Sequence, residues 1–316
     1  MKISQKMKKE GLLAGIGIIR FVFVACVCYL FLFPLIYLLI SAVQDPTSAL
    51  DPSVVWIPKK LTLDNFKEAF ILLDYRNSFI TSLTTAVFST VATLLSCAMA
   101  GYALARFNFF GKRAAFIIVL LLIVVPPQTT SMSVFLNYRF FNPLNLVSLL
   151  SPLTGIESFD LLGSPVTMIL PALFASGLRA GLSIFIFRQF FLGQPKELEE
   201  AAKIDGCGAF STYFKIMLPL SSPAIITVSV FSFVWYWNDT FLSSLFFTGD
   251  LKPLATKLDV LRTTFLADVT NRVYSTQQQK VIISAAALLC IIPPLILYLV
   301  IQRKFSESIE RTGIVG

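Results

Sequence analysis

Histidine does not occur anywhere in this chain. Its absence excludes imidazole acid–base chemistry and histidine-ligated metal sites within the chain. Charge is also scarce: 14% of the 316 residues are Asp, Glu, Lys or Arg, against 56% hydrophobic residues and a mean hydropathy of +0.76. A water-soluble domain of this length cannot hide that much apolar surface, so most of it is expected to face lipid or other membrane helices. Of the five cysteines, Cys26, Cys28, Cys97 and Cys290 lie in apolar runs and Cys207 in a polar stretch, so none is placed to form an extracellular disulfide. No G-x-x-x-x-G-K-[ST] run occurs either. Phe110-Gly111-Lys112-Arg113 lacks both the upstream glycine and the hydroxyl residue, so the chain has no phosphate-cradling loop of its own. With no metal-ligand cluster and no nucleophile–base arrangement, an integral membrane enzyme is disfavoured.

What is present is a series of long apolar runs, at about 21–43, 79–104, 114–136, 166–187, 224–246 and 281–301. Each has about the 20 residues that a hydrocarbon core of ~30 Å requires. The expectation is an all-α integral membrane protein with six transmembrane helices and both termini in the cytoplasm. The first run follows Lys2, Lys6, Lys8 and Lys9, but it is too long for a signal peptide and lacks a small-residue cleavage site. The net charge of +8 is not gathered into one stripe, which argues against nucleic acid. With six spans the inner segments hold 15 Lys and Arg against 7 acids, and the outer segments 10 against 11, the bias that orients membrane proteins. The organisation read from this is a cytoplasmic N-terminal segment 1–20, a transmembrane domain 21–301 and a cytoplasmic tail 302–316.

The longest polar-rich stretch between two apolar runs is Pro195 to Leu220. It reads as helix, tight turn and second helix. Pro195 suits the first helical position, and Glu197, Glu199 and Glu200 place negative charge at the positive end of the helix dipole. Glu199 and Lys203 stand at i, i+4 in the favourable order. Ala201 and Ala202 leave a flat patch that another surface can approach, and Asp205-Gly206 supplies a stop and turn. Phe210, Tyr213, Phe214 and Met217 then fall at helical spacing, and Pro219 and Pro223 break or kink the chain as it re-enters the membrane. An amphipathic hairpin that only connects two membrane helices would look the same by spacing alone. The order of residues is more specific. Glu200-Ala201-Ala202, Asp205-Gly206 and then Ile216, Leu218 and Pro219 resemble the EAA loop of the membrane subunits of ATP-binding cassette (ABC) importers. Cys207, where Ala is usual, and Gly208 after it are departures, both small.

Other segments resemble the carbohydrate-uptake branch of that family: Leu61 to Phe66, Tyr102 to Arg106, Phe110 to Lys112, and Trp237-Asn238-Asp239-Thr240-Phe241-Leu242. The tail from Gln302 to Gly316 resembles the family's as well, with Ser308 in place of its usual glycine. Read as physics, Arg106, Lys112 and Arg113 anchor an inner hairpin, and Trp237 is an interfacial anchor. Thr62 caps a short surface helix whose apolar side is Phe66, Phe70 and Leu73.

Four residues are candidates for a translocation pathway: Pro127, Arg179, Asn238 and Asp239. Pro126-Pro127 should distort the third run, and such a break is tolerated in lipid only where protein or a water-filled cavity satisfies the freed carbonyls. Bundle packing without a role is the alternative. Arg179 lies ~18 Å along the fourth run from Thr167 at ~1.5 Å per residue. It either faces a cavity or partner at mid-membrane or belongs to a helix that begins later and snorkels outward. No acid lies at equal depth, so an ionic partner would come from another subunit or the substrate.

The resemblance implies the type I ABC importer permease fold in a bacterial plasma membrane. It implies a heterodimer with a second permease subunit, two cytoplasmic ATPase subunits, an extracellular solute-binding protein and a sugar or oligosaccharide as substrate. This chain would bind no cofactor; ATP and Mg²⁺ would reside in the ATPase subunits. The coupling residues it implies are Glu199, Glu200, Ala201, Ala202, Asp205, Gly206 and Pro219. An importer of a non-sugar solute such as a glycerol phosphate has the same architecture. An ion-driven secondary transporter would need intramembrane acids and inverted repeats, and a pure scaffold would need none of the motifs.

Overall fold

The computed structural model describes residues 2–47, 60–145, 147–148, 155, 157–266 and 274–313, the side chains of 2–14, 144, 266 and 303–313 excepted. Among the described residues there is no strand, only isolated bridges at Gln44–Leu61 and Phe141–Phe159. The chain forms two compact units, Met1–Leu72 with Thr264–Leu289 and Leu73–Thr263 with Cys290–Gly316.

In the first unit α1 (Lys2–Val43) is one helix that carries Pro34 inside it. The polar start expected to precede the first span therefore continues it without a break. Residues Gly15–Val43 form a span whose most apolar stretch is 0% buried, with Phe21, Leu30 and Phe31 among its exposed side chains. Water would not tolerate such a surface, so lipid or another membrane helix must cover it. Its C-terminal end is tied to α2 (Asp64–Leu72): the Asn65 amide donates to the carbonyls of Ala42 and Gln44, each at 2.9 Å. Thr62 caps α2, its Oγ1 accepting from the Asp64 N–H at 3.1 Å. Of the expected apolar side of α2, Leu73 is buried and Phe66 half-buried, but Phe70 is exposed; within α2 itself Asn65 and Ala69 are the buried residues, the Asn65 amide serving the carbonyls at the end of α1.

The second unit is built around α3 (Tyr75–Arg106), which packs against α6 (Val166–Leu173), α7 (Ala180–Gly193) and α10 (Ser222–Asn238), while α4 (Lys112–Val124) packs on α7. The buried face of α3 is small and hydroxylated: Ser78, Ser82, Thr85, Ser89, Thr93 and Cys97 follow at spacings of three or four. Helices in lipid associate through close packing and polar contacts more than through hydrophobic expulsion, which favours such a face. The approach is tight at Gly101, where an added Cβ would stand 2.6 Å from Phe187 Cβ, and at Gly181, 2.8 Å from the Val119 carbonyl.

Among the described residues three helices are long and apolar enough to cross a membrane: Gly15–Val43, Tyr75–Arg106 and Thr276–Gln302. A fourth span forms if Ala209–Leu220 and Ser222–Asn238, bent by 75°, are taken together. The expected third and fourth runs are not continuous. The third breaks at Pro126 into α4, a 3₁₀ turn Pro127–Thr129 and α5 (Ser131–Arg139). The fourth breaks between α6 and α7, where Ala175 and Arg179 have φ of 53° and 54°. Past α11 (Phe241–Phe246) and α12 (Leu254–Leu266), α13 (Thr276–Gly313) runs on well beyond the expected span end at 301.

Trp237 is buried, at 1% exposure, and so is not an interfacial anchor. Its Nε1–H donates to the Cys290 carbonyl at 3.0 Å, the carbonyl that Pro294, having no N–H, leaves free within α13. Gly101→Val is expected to destabilise the chain by about 1–3 kcal/mol through overpacking against Phe187, read as a lower midpoint of thermal unfolding in detergent.

Candidate functional site

The stretch from Pro195 onward folds as helix, turn and helix. Its first helix, α8 (Glu197–Ile204), starts two residues later than expected, with Pro195 just ahead of the cap residue Lys196. The turn closes through two backbone bonds, Cys207 N–H to the Ala202 carbonyl at 2.8 Å and Gly206 N–H to the Lys203 carbonyl at 3.0 Å, with Gly206 at φ +80°. This is the Schellman closure, which needs a residue tolerant of left-handed backbone at Gly206. The second helix, α9 (Ala209–Leu220), carries a π turn over Tyr213–Met217 and contains Pro219 next to the 75° bend.

The hairpin has a bare face and a fixed face. Glu200, Ala201, Asp205, Ile204 and Phe210 are exposed, the last two at 86% and 73%. Ala202, Tyr213 and Met217 are buried. The uniform aromatic stripe expected from spacing is thus split, because the π turn widens the helix and turns Phe214 outward while Tyr213 and Met217 go in. On the fixed face Tyr213 lies 5.0 Å from the Tyr102 ring, itself 5.3 Å from Phe191 of α7. Glu199 does not use Lys203, which is exposed; it pairs with Arg106 at the end of α3, Nε to Oε1 3.5 Å. Arg106 therefore turns to this hairpin, and the α3–α4 connection is held by Lys112, whose Nζ donates to the Phe107 carbonyl at 2.9 Å.

The breaks in the third and fourth runs meet at two adjoining cavities of 270 and 410 Å³. Pro127 and Arg179 line both, and Asp239 lines the larger. Neighbouring helices supply the hydrogen bonds the α6–α7 break gives up. Ser96 Oγ donates to the Ala172 carbonyl at 2.6 Å, and the Leu178 N–H donates to the Tyr236 hydroxyl at 3.0 Å. Arg179 is the residue before α7, so counting a continuous rise from Thr167 misplaces it; the helix begins later, as one reading had it, while the residue lines the cavities, as the other had it. Its guanidinium lies 4.9 Å over the Trp235 ring, a cation–π contact. Asp239 accepts from the Ser243 N–H at 2.7 Å at the start of α11. Asn238 ends α10, is exposed and lines neither cavity.

The structure thus brings Pro127, Arg179 and Asp239 together and leaves Asn238 out, while the residues from Glu199 to Gly206 expected to couple share one hairpin with Pro219 at its far end. Tyr236, Ser96 and the Arg106–Glu199 pair are additions that spacing did not mark. The doublet of tryptophans around Tyr236 hid a hydroxyl whose partner is 58 residues away.

Discontinuous helices around a cavity, beside one polar hairpin, are features of a transport component. The chain belongs to the family described as binding-protein-dependent transport system inner membrane component, which it matches over residues 92–311. It is 30% identical over 237 residues to the arabinooligosaccharides transport system permease protein AraQ of Halalkalibacterium halodurans, covering 74% of this chain and 76% of that one. To the alpha-glucoside transport system permease protein AglG of Rhizobium meliloti it is 32% identical over 200 residues, 63% of this chain and 48% of that relative's length. The fold matches that of a chain in a bacterial ABC transporter involved in the import of the acidic polysaccharide alginate, with a TM-score of 0.71 at 22% identity over 92% of this chain and 96% of that one. A second structure of the alginate transporter, in complex with a periplasmic protein bound to an alginate pentasaccharide, matches with a TM-score of 0.58 at 17% identity over 91% and 94%.

Tyr236→Phe removes the acceptor of the Leu178 N–H and is expected to cost about 1–3 kcal/mol. Thermal unfolding in detergent checks it, with Tyr298→Phe, an exposed position, as the unaffected control.

Proposed function

We propose that this chain is a permease subunit of an ABC importer that takes up a sugar or oligosaccharide delivered by an extracellular solute-binding protein. The observation that carries the reading is the hairpin of α8 and α9, rigid in its turn, anchored on one face and bare on the other. The named relatives of this chain carry α-glucosides and arabinooligosaccharides, which supports a saccharide as the cargo. The periplasmic protein in the alginate complex supports a solute-binding partner. Six spans with both termini in the cytoplasm of a bacterium fit this reading, the third and fourth crossing as broken helices.

In this mechanism two ATPase subunits, which hold ATP and Mg²⁺ and hydrolyse the nucleotide, close on the bare face. Glu200 is the polar contact to them, Ala201 the flat patch that lets their surface approach, and Gly206 the turn whose left-handed backbone most side chains resist. Movement of the hairpin as one body swings the membrane helices, and a second permease subunit completes the cavity that opens alternately to either side. Binding at one place then shifts a population at another, which is all that coupling requires. Pro127, Arg179 and Asp239 face the solute in the cavity.

Co-purification with the ATPase subunits and the second permease tests this. Glu200→Ala and Gly206→Pro are expected to insert normally and to lose about ten-fold in association or in solute-stimulated hydrolysis, the loss that ~1.4 kcal/mol of contact brings. Full association and full stimulated hydrolysis in both variants would reduce the hairpin to a connector. Arg179→Leu is expected to keep the complex and lower uptake by about ten-fold or more; unchanged uptake removes it from the pathway.

A further inference from the structure

The two neighbouring glutamates at the start of α8 point in different directions. Successive residues of a helix are turned by about 100°. Glu200 is exposed, whereas Glu199 is drawn inward to Arg106, the two side chains being 16% and 5% exposed. Arg106 makes two contacts from one guanidinium. Its Nε faces Glu199 Oε1 at 3.5 Å, and its Nη2 donates to the Gln194 carbonyl at 2.6 Å. Gln194 is the first residue after α7, and Glu199 lies in the first turn of α8, so one side chain of α3 holds both ends of the connection between them. The planar fork of arginine suits this and a lysine's single point charge does not.

The other end of the same stretch of α3 reaches the broken helix. Ser96, ten residues or about 15 Å before Arg106 along the helix, donates to the Ala172 carbonyl, and Thr93 Oγ1 lies 3.4 Å from the Tyr236 hydroxyl that holds Leu178. Between them the Tyr102 ring packs at a tilt against Tyr213 of α9.

We propose that Glu199 and Arg106 form an internal strut, a pair of positioning residues that fasten the hairpin to α3 so that its movement is delivered to the α6–α7 break at the cavity. Glu199 thereby acts within this chain, unlike Glu200, which meets a partner. The transport part of this inference rests on the importer reading; the fastening itself does not.

The test uses the complete complex in lipid vesicles, with solute moved per ATP hydrolysed as the readout. Glu199→Gln and Arg106→Gln are expected to keep the ATPase subunits bound and hydrolysing, while solute moved per ATP falls by about five-fold or more. Arg106→Lys, which keeps the charge but not the fork, is expected to retain roughly half of the wild-type ratio. An unchanged ratio in both Gln variants overturns the proposal. So does loss of the ATPase subunits from Glu199→Gln, which would place Glu199 at the partner, and so does Arg106→Lys performing no better than Arg106→Gln. A second measurement needs no hydrolysis. In the full chain in detergent, amide hydrogen exchange in Glu197–Ile204 is expected to quicken by about ten-fold in Glu199→Gln, with that in Ser222–Asn238 unchanged. Exchange equal to wild type in both segments overturns the fastening. A wild-type complex that neither assembles nor moves solute would instead sink the importer reading and leave the exchange result to judge the strut alone.

Discussion

A backbone in hydrocarbon has no water to fall back on, and this constraint decides where the chain can break. At two interruptions of the long apolar runs, the α6–α7 break and Pro294 of α13, neighbouring side chains bond backbone groups that the helices do not satisfy. Trp237 serves the Cys290 carbonyl opposite Pro294, Ser96 serves the carbonyl of Ala172, and Tyr236 accepts the Leu178 N–H. These donors and acceptors sit on α3 and α10, the two helices that run unbroken past the interruptions. The small hydroxylated face of α3 lets helices come close, and its Ser82 accepts the Leu254 N–H at 2.7 Å.

The same helix organises the polar hairpin. Arg106 and Tyr102 in its last two turns fix the inner face of α8 and α9, so the hairpin's outer face can stay bare without the hairpin losing its place. A bare face containing Ile204 and Phe210 exposes apolar side chains to water, the kind of surface a partner covers. Rigidity on one side and incompleteness on the other are what a transmitted motion requires.

How far the sequence carried depended on the range of the interaction. Features set within a few residues were legible: the break at Pro126-Pro127, the glycine turn at Gly206, the Thr62 cap and the bend beside Pro219. Pro127, Arg179 and Asp239 could be marked one by one, because an unusual residue in an apolar run is conspicuous, but their meeting at one cavity could not be read from the sequence. What failed was periodicity applied across a hidden irregularity. The φ of 54° at Arg179 stops the count from Thr167, and the π turn at Tyr213–Met217 rotates an aromatic stripe that α-helical spacing had laid straight. Pairings over long sequence separation were also illegible. Glu199 had a plausible partner four residues on, and the fold gave it Arg106 instead, from a helix 93 residues earlier.

The Schellman closure at Cys207 explains why an unusual residue is harmless there. Position 207 contributes only its backbone N–H to the turn, a group every amino acid but proline possesses, whereas position 206 is held to a backbone angle that most side chains resist. The turn therefore restricts one of two adjacent positions by its backbone angle and leaves the other open to any residue with a backbone N–H.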